Sequence, residues 1–465
     1  MTQLLESSQP AASGSGRHQS RWDTLLGWVQ AHPARFLALV FVAITAAFVL
    51  GFAARGRLWA PPGRGDGPDY ENIGFNLAQG RGFRLDWDSL EWRAPYEQHN
   101  SDHQYDYLLA RTGSWATAYR PPLFPLLIAG NHLLFGRQFV TIRIGNALFV
   151  AGAVCLAAAL AMRLIGPLGG VLVPVLAVAD RRLLTYSGAI LTESLALFTV
   201  VLLTWLLARL LDRPSGGKAA LAGAALGVGV LGRSIFILWY PLLTITVFLL
   251  VRHAQATRNN RRALALTTLF LAAAVAVLAP WWVRNSTVLE AFMPLGTQGG
   301  IALPGGYSDA AWRSGRGRWV QLNSWGLYDP LVHSEVYQGL PGHLRERDRA
   351  RFGAQHASEW IKRNPEKLPV LAWRRLRDHF RPRNVHELSL LGLAFAGLLL
   401  ARRQPLVRLL AALVVINALA VMAMYSDGPR LLIPVKASLY VLAAVGLVGV
   451  GLWVMERIAR RQASA

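Results

Sequence analysis

RPPLFPLLIAGNHLLFG, residues 120–136, is apolar for only about 14 residues, short of the roughly 17 to 25 that cross a bilayer. How it is read decides the arrangement of the whole chain. If it spanned the membrane, the basic clusters at Arg252 to Arg262 and at Arg402/Arg403 would fall on the outer side, against the cytoplasmic bias of Lys and Arg. Read as an interfacial or re-entrant helix, it leaves those clusters cytoplasmic. The clusters at Arg17/Arg21, Arg213/Lys218 and Arg457 to Arg461 then agree with them.

The chain around it is hydrophobic. Of 465 residues, 53% are hydrophobic and 16% charged, with a mean hydropathy of +0.32; a soluble chain carries about 25% charged residues. Spans are expected at 35–55, 141–163, 190–211, 235–252, 262–282, 387–402, 405–424 and 431–454. Weaker apolar stretches at 168–180 and 217–233 each close a hairpin. The fold class is therefore an all-α polytopic membrane protein of about ten spans, with interfacial helices. Two large outer loops, 56–140 and 283–386, sit between cytoplasmic tails at 1–34 and 456–465. The first apolar segment reads as a retained anchor, because the polar residues before it lack a cleavage pattern.

The net charge of +22 does not imply nucleic acid. Orientation and contact with lipid phosphates account for the basic residues. The one cysteine, Cys155, lies in an apolar run and reads as a buried small hydrophobe. In the second outer loop, SEWIKRNPEKLPVLAWRRLRDHFRP (358–382) has the composition of a helix on a membrane surface. Trp360, Ile361, Leu368, Leu371, Trp373, Leu376 and Phe380 supply its apolar side.

The first outer loop opens with GDGPDYENIGFNLAQGRGF, 65–83, an acidic stretch in a basic protein. Pro68 suits a first helical turn, and Tyr70, Ile73 and Leu77 form a stripe that Gly80 and Gly82 end. Asp66 and Asp69 then have two readings, a cap pair favoured by the helix dipole or working carboxylates. Farther along, His99, Asp102, His103 and Asp106 raise metal ligation, but Asn100 and Ser101 read as a turn. A solvated loop is the preferred reading, with no metal site and no cofactor. Trp87, Trp92, Tyr105, Trp115 and Tyr119 have the chemistry either to stack on sugar rings or to anchor the loop at the interface.

The order of short motifs carries more than any one of them. After the first span come Asp66-x-x-x-Tyr70, Arg120-Pro-Pro-Leu, Leu-Thr-Glu193 and Leu-Gly-Arg233. Pro280-Trp-Trp-Val-Arg284-Asn285 and Pro429-Arg430-Leu-Leu-Ile-Pro434 follow. Over about residues 35–455 this order resembles the integral-membrane glycosyltransferases of the GT-C fold. It is similar to the branch of protein O-mannosyltransferases and the lipid A aminoarabinose transferase. The resemblance implies a sugar donor on a polyprenyl phosphate and an acceptor hydroxyl on a glycan, lipid or protein. The site would lie on the periplasmic or extracytoplasmic face of the plasma membrane.

It further implies that Asp66 is the catalytic base, with Asp69 and Tyr70 lining the substrate, and that Arg120 meets the donor phosphate through its guanidinium fork. Headgroup snorkelling is the bland alternative for Arg120. Arg233 has either a lipid phosphate or Glu193 as partner. Glu193 has acceptor orientation, contact with Arg120 or helix capping open to it, and Arg430 is a further phosphate candidate. Two rivals come from other readings: a lipid or polysaccharide transporter, and a surface-glycan ligase or polymerase. Transporters place ionisable groups mid-membrane, whereas here the spans read as almost free of them. A non-catalytic relative also stays open.

Overall fold

A computed structural model describes residues 21–463 except 57, 64, 255–258 and 323–325. Most of the expected tail 1–34, with Arg17, lies outside the described residues, as does Arg258. Among the described residues, seven helices are long and apolar enough to cross a bilayer: Pro33–Ala53, Phe139–Ile165, Glu193–Asp212, Ser234–Ala254, Asn260–Val288, Pro405–Ala423 and Gly428–Gln462. Three shorter apolar helices, Pro167–Val178, Gly216–Gly232 and Val385–Ala401, fall on the remaining expected spans. Backbones approach closely where side chains are smallest, as membrane helices require. A Cβ added at Gly397 would sit 2.0 Å from the Leu442 carbonyl oxygen, and one at Gly446 2.0 Å from that of Leu393.

The segment that decided the topology is the helix Leu123–Phe135. Its 13 residues rise only about 20 Å at 1.5 Å each, against roughly 30 Å of hydrocarbon. Phe124, Ile128 and His132 face inward, while Leu126, Leu133, Leu134 and Phe135 remain exposed. It packs on Gly67–Ala78 at Gly74, where a Cβ would meet the Ile128 side chain at 2.5 Å. The helix buries one face on a neighbour and ends at Gly136, with φ +74°, a packing that agrees with the interfacial reading.

The insertion after Gly67–Ala78 folds on its own small core. Strand β1, Arg84–Asp86, pairs antiparallel with β2, Ser114–Ala116. Trp87, Trp92, Tyr96, Tyr105 and Leu108 fill the space behind them. This corrects the expectation for the loop aromatics. Trp87, Trp92 and Tyr105 are buried against one another, so they are neither sugar platforms nor interface anchors. His103 pairs with Asp106 at 3.0 Å, and His99 Nδ1 lies 2.8 Å from the Pro95 carbonyl.

Beneath this core lies Glu71, with no exposed surface. It accepts from Arg137 at 2.9 and 3.1 Å, from the Trp92 indole at 2.6 Å and from the Tyr96 hydroxyl at 3.1 Å. Burial alone would raise its carboxyl, but Arg137 and His132 outweigh it and hold the pKa at about 2. Of the three acids that open the loop, this one is structural.

The two outer loops are latched together at Glu346 in the helix Gly342–Arg363. Its carboxylate accepts from Trp115 Nε1 (2.9 Å), Thr117 Oγ1 (2.6 Å), the Ala118 amide (3.0 Å) and Thr297 Oγ1 (2.6 Å). Arg284 closes the same seam by donating to the carbonyls of Thr117 and Phe83. The expected surface helix 358–382 is broken, because Pro365 ends one helix at Arg363 before Leu368–His379 begins. Trp360 and Leu371 bury against Tyr307, while Trp373 stays 62% exposed.

One buried ion pair was not legible. Asp180 breaks the run Pro167–Val178 from Arg181–Gly188, and it meets Lys436 and, at 2.8 Å, the Tyr440 hydroxyl. The spans are therefore not as free of charge as they read, but acid and base neutralise each other there, both almost wholly buried.

Candidate active site

Asp66 is the N-cap residue of Gly67–Ala78, yet its side chain makes no capping bond. The carboxylate instead turns away from the helix to two arginines. Arg120 Nη2 lies 2.8 Å from its Oδ1, and Arg430 Nη2 lies 2.7 Å from its Oδ2. The side chain keeps 25% of its surface exposed. Burial pushes its pKa up, but the coulombic pull of Arg120 and Arg430 prevails and holds it well below the ordinary carboxylate range.

Asp69, one turn on, is 3% exposed and both its oxygens are taken. Oδ1 accepts from Arg111 at 3.0 Å. Oδ2 accepts from Arg120 Nε at 3.0 Å and from Nη2 as well. Tyr70 lies under the Arg120 guanidinium at 5.3 Å from its centroid and packs edge-on to Phe124. Burial raises its hydroxyl to about 12. Arg120 is therefore clamped: two carboxylates take its edges, and the rings of Tyr119 (4.3 Å) and Tyr70 lie within cation–π distance. At 4% exposure it does not snorkel.

Glu193, the first residue of Glu193–Asp212, has no exposed surface. It binds Arg233 at 3.0 Å and also Arg430 Nε, so its partners are those two and not Arg120. Arg430, which begins the short 3-10 segment Arg430–Val435, thus bridges Glu193 and Asp66. Asp427 stands 3.4 Å from its Nη1.

All seven sequence candidates fall in one cluster at one end of the spans. Arg111 and Asp427 belong to it but were not found by sequence reasoning. Asp427 stands three residues before Arg430, a spacing that would have served as a signal. Arg111 sits in the insertion, and only the fold carries it to Asp69. The arrangement sets a partly exposed carboxylate beside cations that could meet an anionic group. Among the described residues, no three or more His, Cys, Asp or Glu side chains converge as a metal site would.

Comparison with known proteins bears on the fold. Residues 119–283 match the family described as dolichyl-phosphate-mannose-protein mannosyltransferase; Arg120, Glu193 and Arg233 lie inside the match, Asp66 and Arg430 outside it. The structure is similar to the archaeal oligosaccharyltransferase AglB from Archaeoglobus fulgidus solved with an inhibitory peptide and a dolichol-phosphate. The TM-score is 0.51 at 14% identity, covering 93% of this chain and 52% of that one. The same enzyme tethered to an acceptor peptide gives 0.52 at 13% identity, over 91% and 50%. This chain thus spans about half the length of those proteins. ArnT from Cupriavidus metallidurans bound to undecaprenyl phosphate scores 0.42 at 14% identity, over 89% and 77%, too low for an argument to rest on it. No curated protein matches the sequence. The chain is a polytopic all-α membrane protein with the GT-C fold.

Proposed function

We propose, from a GT-C-fold membrane chain whose acidic outer loop meets arginines at one cleft, that it transfers a sugar from a polyprenyl-phosphate donor to an acceptor hydroxyl. The observation that carries this reading is Asp66, a partly exposed carboxylate within 2.8 Å of two guanidinium groups. In the step, the acceptor oxygen attacks the anomeric carbon and its proton passes to the Asp66 carboxylate. The bond from that carbon to the phosphate oxygen breaks, and its electron pair leaves with the lipid phosphate. Arg120 and Arg430 meet the developing charge. Attack opposite the leaving phosphate inverts the anomeric configuration.

In this reading Asp69 and Tyr70 seat Arg120, while Glu193, itself paired with Arg233, seats Arg430. A donor whose phosphate stays in the headgroup layer needs its base and cations at the outer end of the spans, on the periplasmic or extracytoplasmic face, and the cluster suits that placement. The test is transfer from a short-chain polyprenyl-phosphate sugar by purified protein, with release of polyprenyl phosphate followed directly. Turnover in Asp66→Asn equal to that of the unaltered protein would sink the assignment. Comparing surface glycans and lipids of a deletion strain by mass spectrometry names the sugar and the acceptor.

A further inference from the structure

Arg120 and Arg430 both reach Asp66, but they are held differently. Arg120 is 4% exposed and fixed from several sides, by Asp69 through two nitrogens and by the rings of Tyr119 and Tyr70. Arg430 keeps 17% of its side chain exposed. Its third acid, Asp427, stands off at 3.4 Å and is itself 48% exposed. Arg430 follows Gly428, whose φ of +60° sets a tight bend, and only its Nε is tied to a fully buried acid, Glu193. The Nη2 contact with Asp66 therefore has more freedom than the contact made by Arg120.

The balance of charge gives that freedom a use. Asp66, Asp69, Glu193 and Asp427 face Arg111, Arg120, Arg233 and Arg430, and each of these arginines contacts at least one of the acids. A phosphate entering beside Asp66 therefore competes with that carboxylate for Arg120 and Arg430. A carboxylate shared between two guanidinium groups is also a poor proton acceptor, because its lone pairs are engaged and its charge is matched.

We propose that Arg430 exchanges partners: the phosphate of a polyprenyl-phosphate donor draws its Nη2 edge off Asp66, which seats the donor and frees Asp66 to accept the acceptor's proton. This rests on the glycosyltransferase reading. It adds an order of events, since the acceptor is activated only once a donor phosphate is in place. Arg120 stays on Asp69 throughout, and Glu193 keeps Arg430 within reach by its Nε.

The experiment is a double-mutant cycle on the binding of geranyl phosphate, measured calorimetrically with full-length protein in detergent. Asp66→Asn removes the competitor for Arg430 and should bind geranyl phosphate about tenfold tighter than the unaltered protein, which at 1.4 kcal/mol per decade is the scale of one hydrogen-bonded contact. In an Arg430→Ala background the same change should alter affinity less than about twofold. Arg430→Gln repeats the cycle if the alanine variant does not fold. Unchanged or weaker binding by Asp66→Asn overturns the exchange. So does a gain that persists without Arg430, since that reports simple repulsion between Asp66 and the phosphate. Inorganic phosphate is titrated alongside, and a gain seen with it but absent with geranyl phosphate also overturns the proposal. Turnover separates the two claims. An Asp66→Asn protein that still transfers sugar refutes the catalytic reading, whereas one that is inactive yet binds no tighter refutes only the exchange.

Discussion

Arg430 Nη2 donates to Asp66 Oδ2 at 2.7 Å across 364 positions of sequence. One residue caps the helix Gly67–Ala78 that follows the first span and the other lies at the start of the last, so the contact joins the two ends of the membrane domain.

Asp66→Asn is expected to lower turnover by roughly 10²- to 10⁴-fold, the usual contribution of a positioned base, with little change in thermal unfolding. Asp69→Asn acts otherwise, because it strips Arg120 of its buried partner. Its unfolding temperature should fall and its apparent donor affinity should weaken, with kcat reduced far less. Equal loss of kcat in both variants would remove the distinction between base and support.

Arg120→Ala should weaken donor binding about ten- to a hundredfold, since a charge-assisted hydrogen bond contributes on the order of 1.5 to 3 kcal/mol. Arg120→Lys keeps the charge but cannot serve Asp66 and Asp69 at once, so partial activity is expected. Full activity in the lysine variant, measured with a labelled short-chain donor, would argue against the fork.

Glu71 gives a stability prediction with a defined sign. Its folded-state pKa of about 2 lies below the ordinary 4.5, so its contribution is complete above about pH 4.5 and is lost as pH falls toward 2. Glu71→Gln leaves Arg137 without its anion and should destabilise the outer loops by about 3 to 5 kcal/mol. Its unfolding temperature should also respond less to acid than that of the unaltered protein. Parallel acid curves for the two proteins would contradict this role.

Glu346→Ala should unlatch the two outer loops, because four donors lose one acceptor. Faster proteolysis within 99–104 and 313–316, with the membrane helices intact by circular dichroism, is the expected readout. If cleavage rates do not change, the latch is dispensable.

Topology is open to thiol labelling in a Cys155→Ser background. Cysteines at Ser101 and Arg316, both exposed, should react with an impermeant reagent from outside, and one at Asn260 only after permeabilisation. Gly305 is a poor position, since a Cβ there would sit 2.2 Å from the Trp319 indole nitrogen. Labelling of Asn260 from outside would mean that Leu123–Phe135 crosses the membrane after all.

Most of the membrane architecture was legible in the chain, since apolar length and the placement of arginines follow directly from the cost of burying charge in hydrocarbon. Most expected spans and helices agree within a few residues, as for 141–163 against Phe139–Ile165 and 405–424 against Pro405–Ala423, whereas those expected at 262–282 and 431–454 run on to Val288 and Gln462. Motif order also brought the seven candidates to notice before any of them could be seen to touch.

Partnership was another matter. Nothing local tells Asp66, which faces the cleft, from Asp69, which is sealed under Arg111 and Arg120, or from Glu71, which anchors the insertion. All three occupy one short helix start, and their different roles follow from what the other loops bring against each face. Trp87, Trp92 and Tyr105 read as sugar platforms or interface anchors, and only their packing in the fold made them core. The sequence by itself determined where the chain meets the membrane, because hydrophobicity is summed along a segment. Which charge neutralises which was decided by the tertiary structure, because a salt bridge depends on distances of a few ångströms between residues that the chain holds hundreds of positions apart.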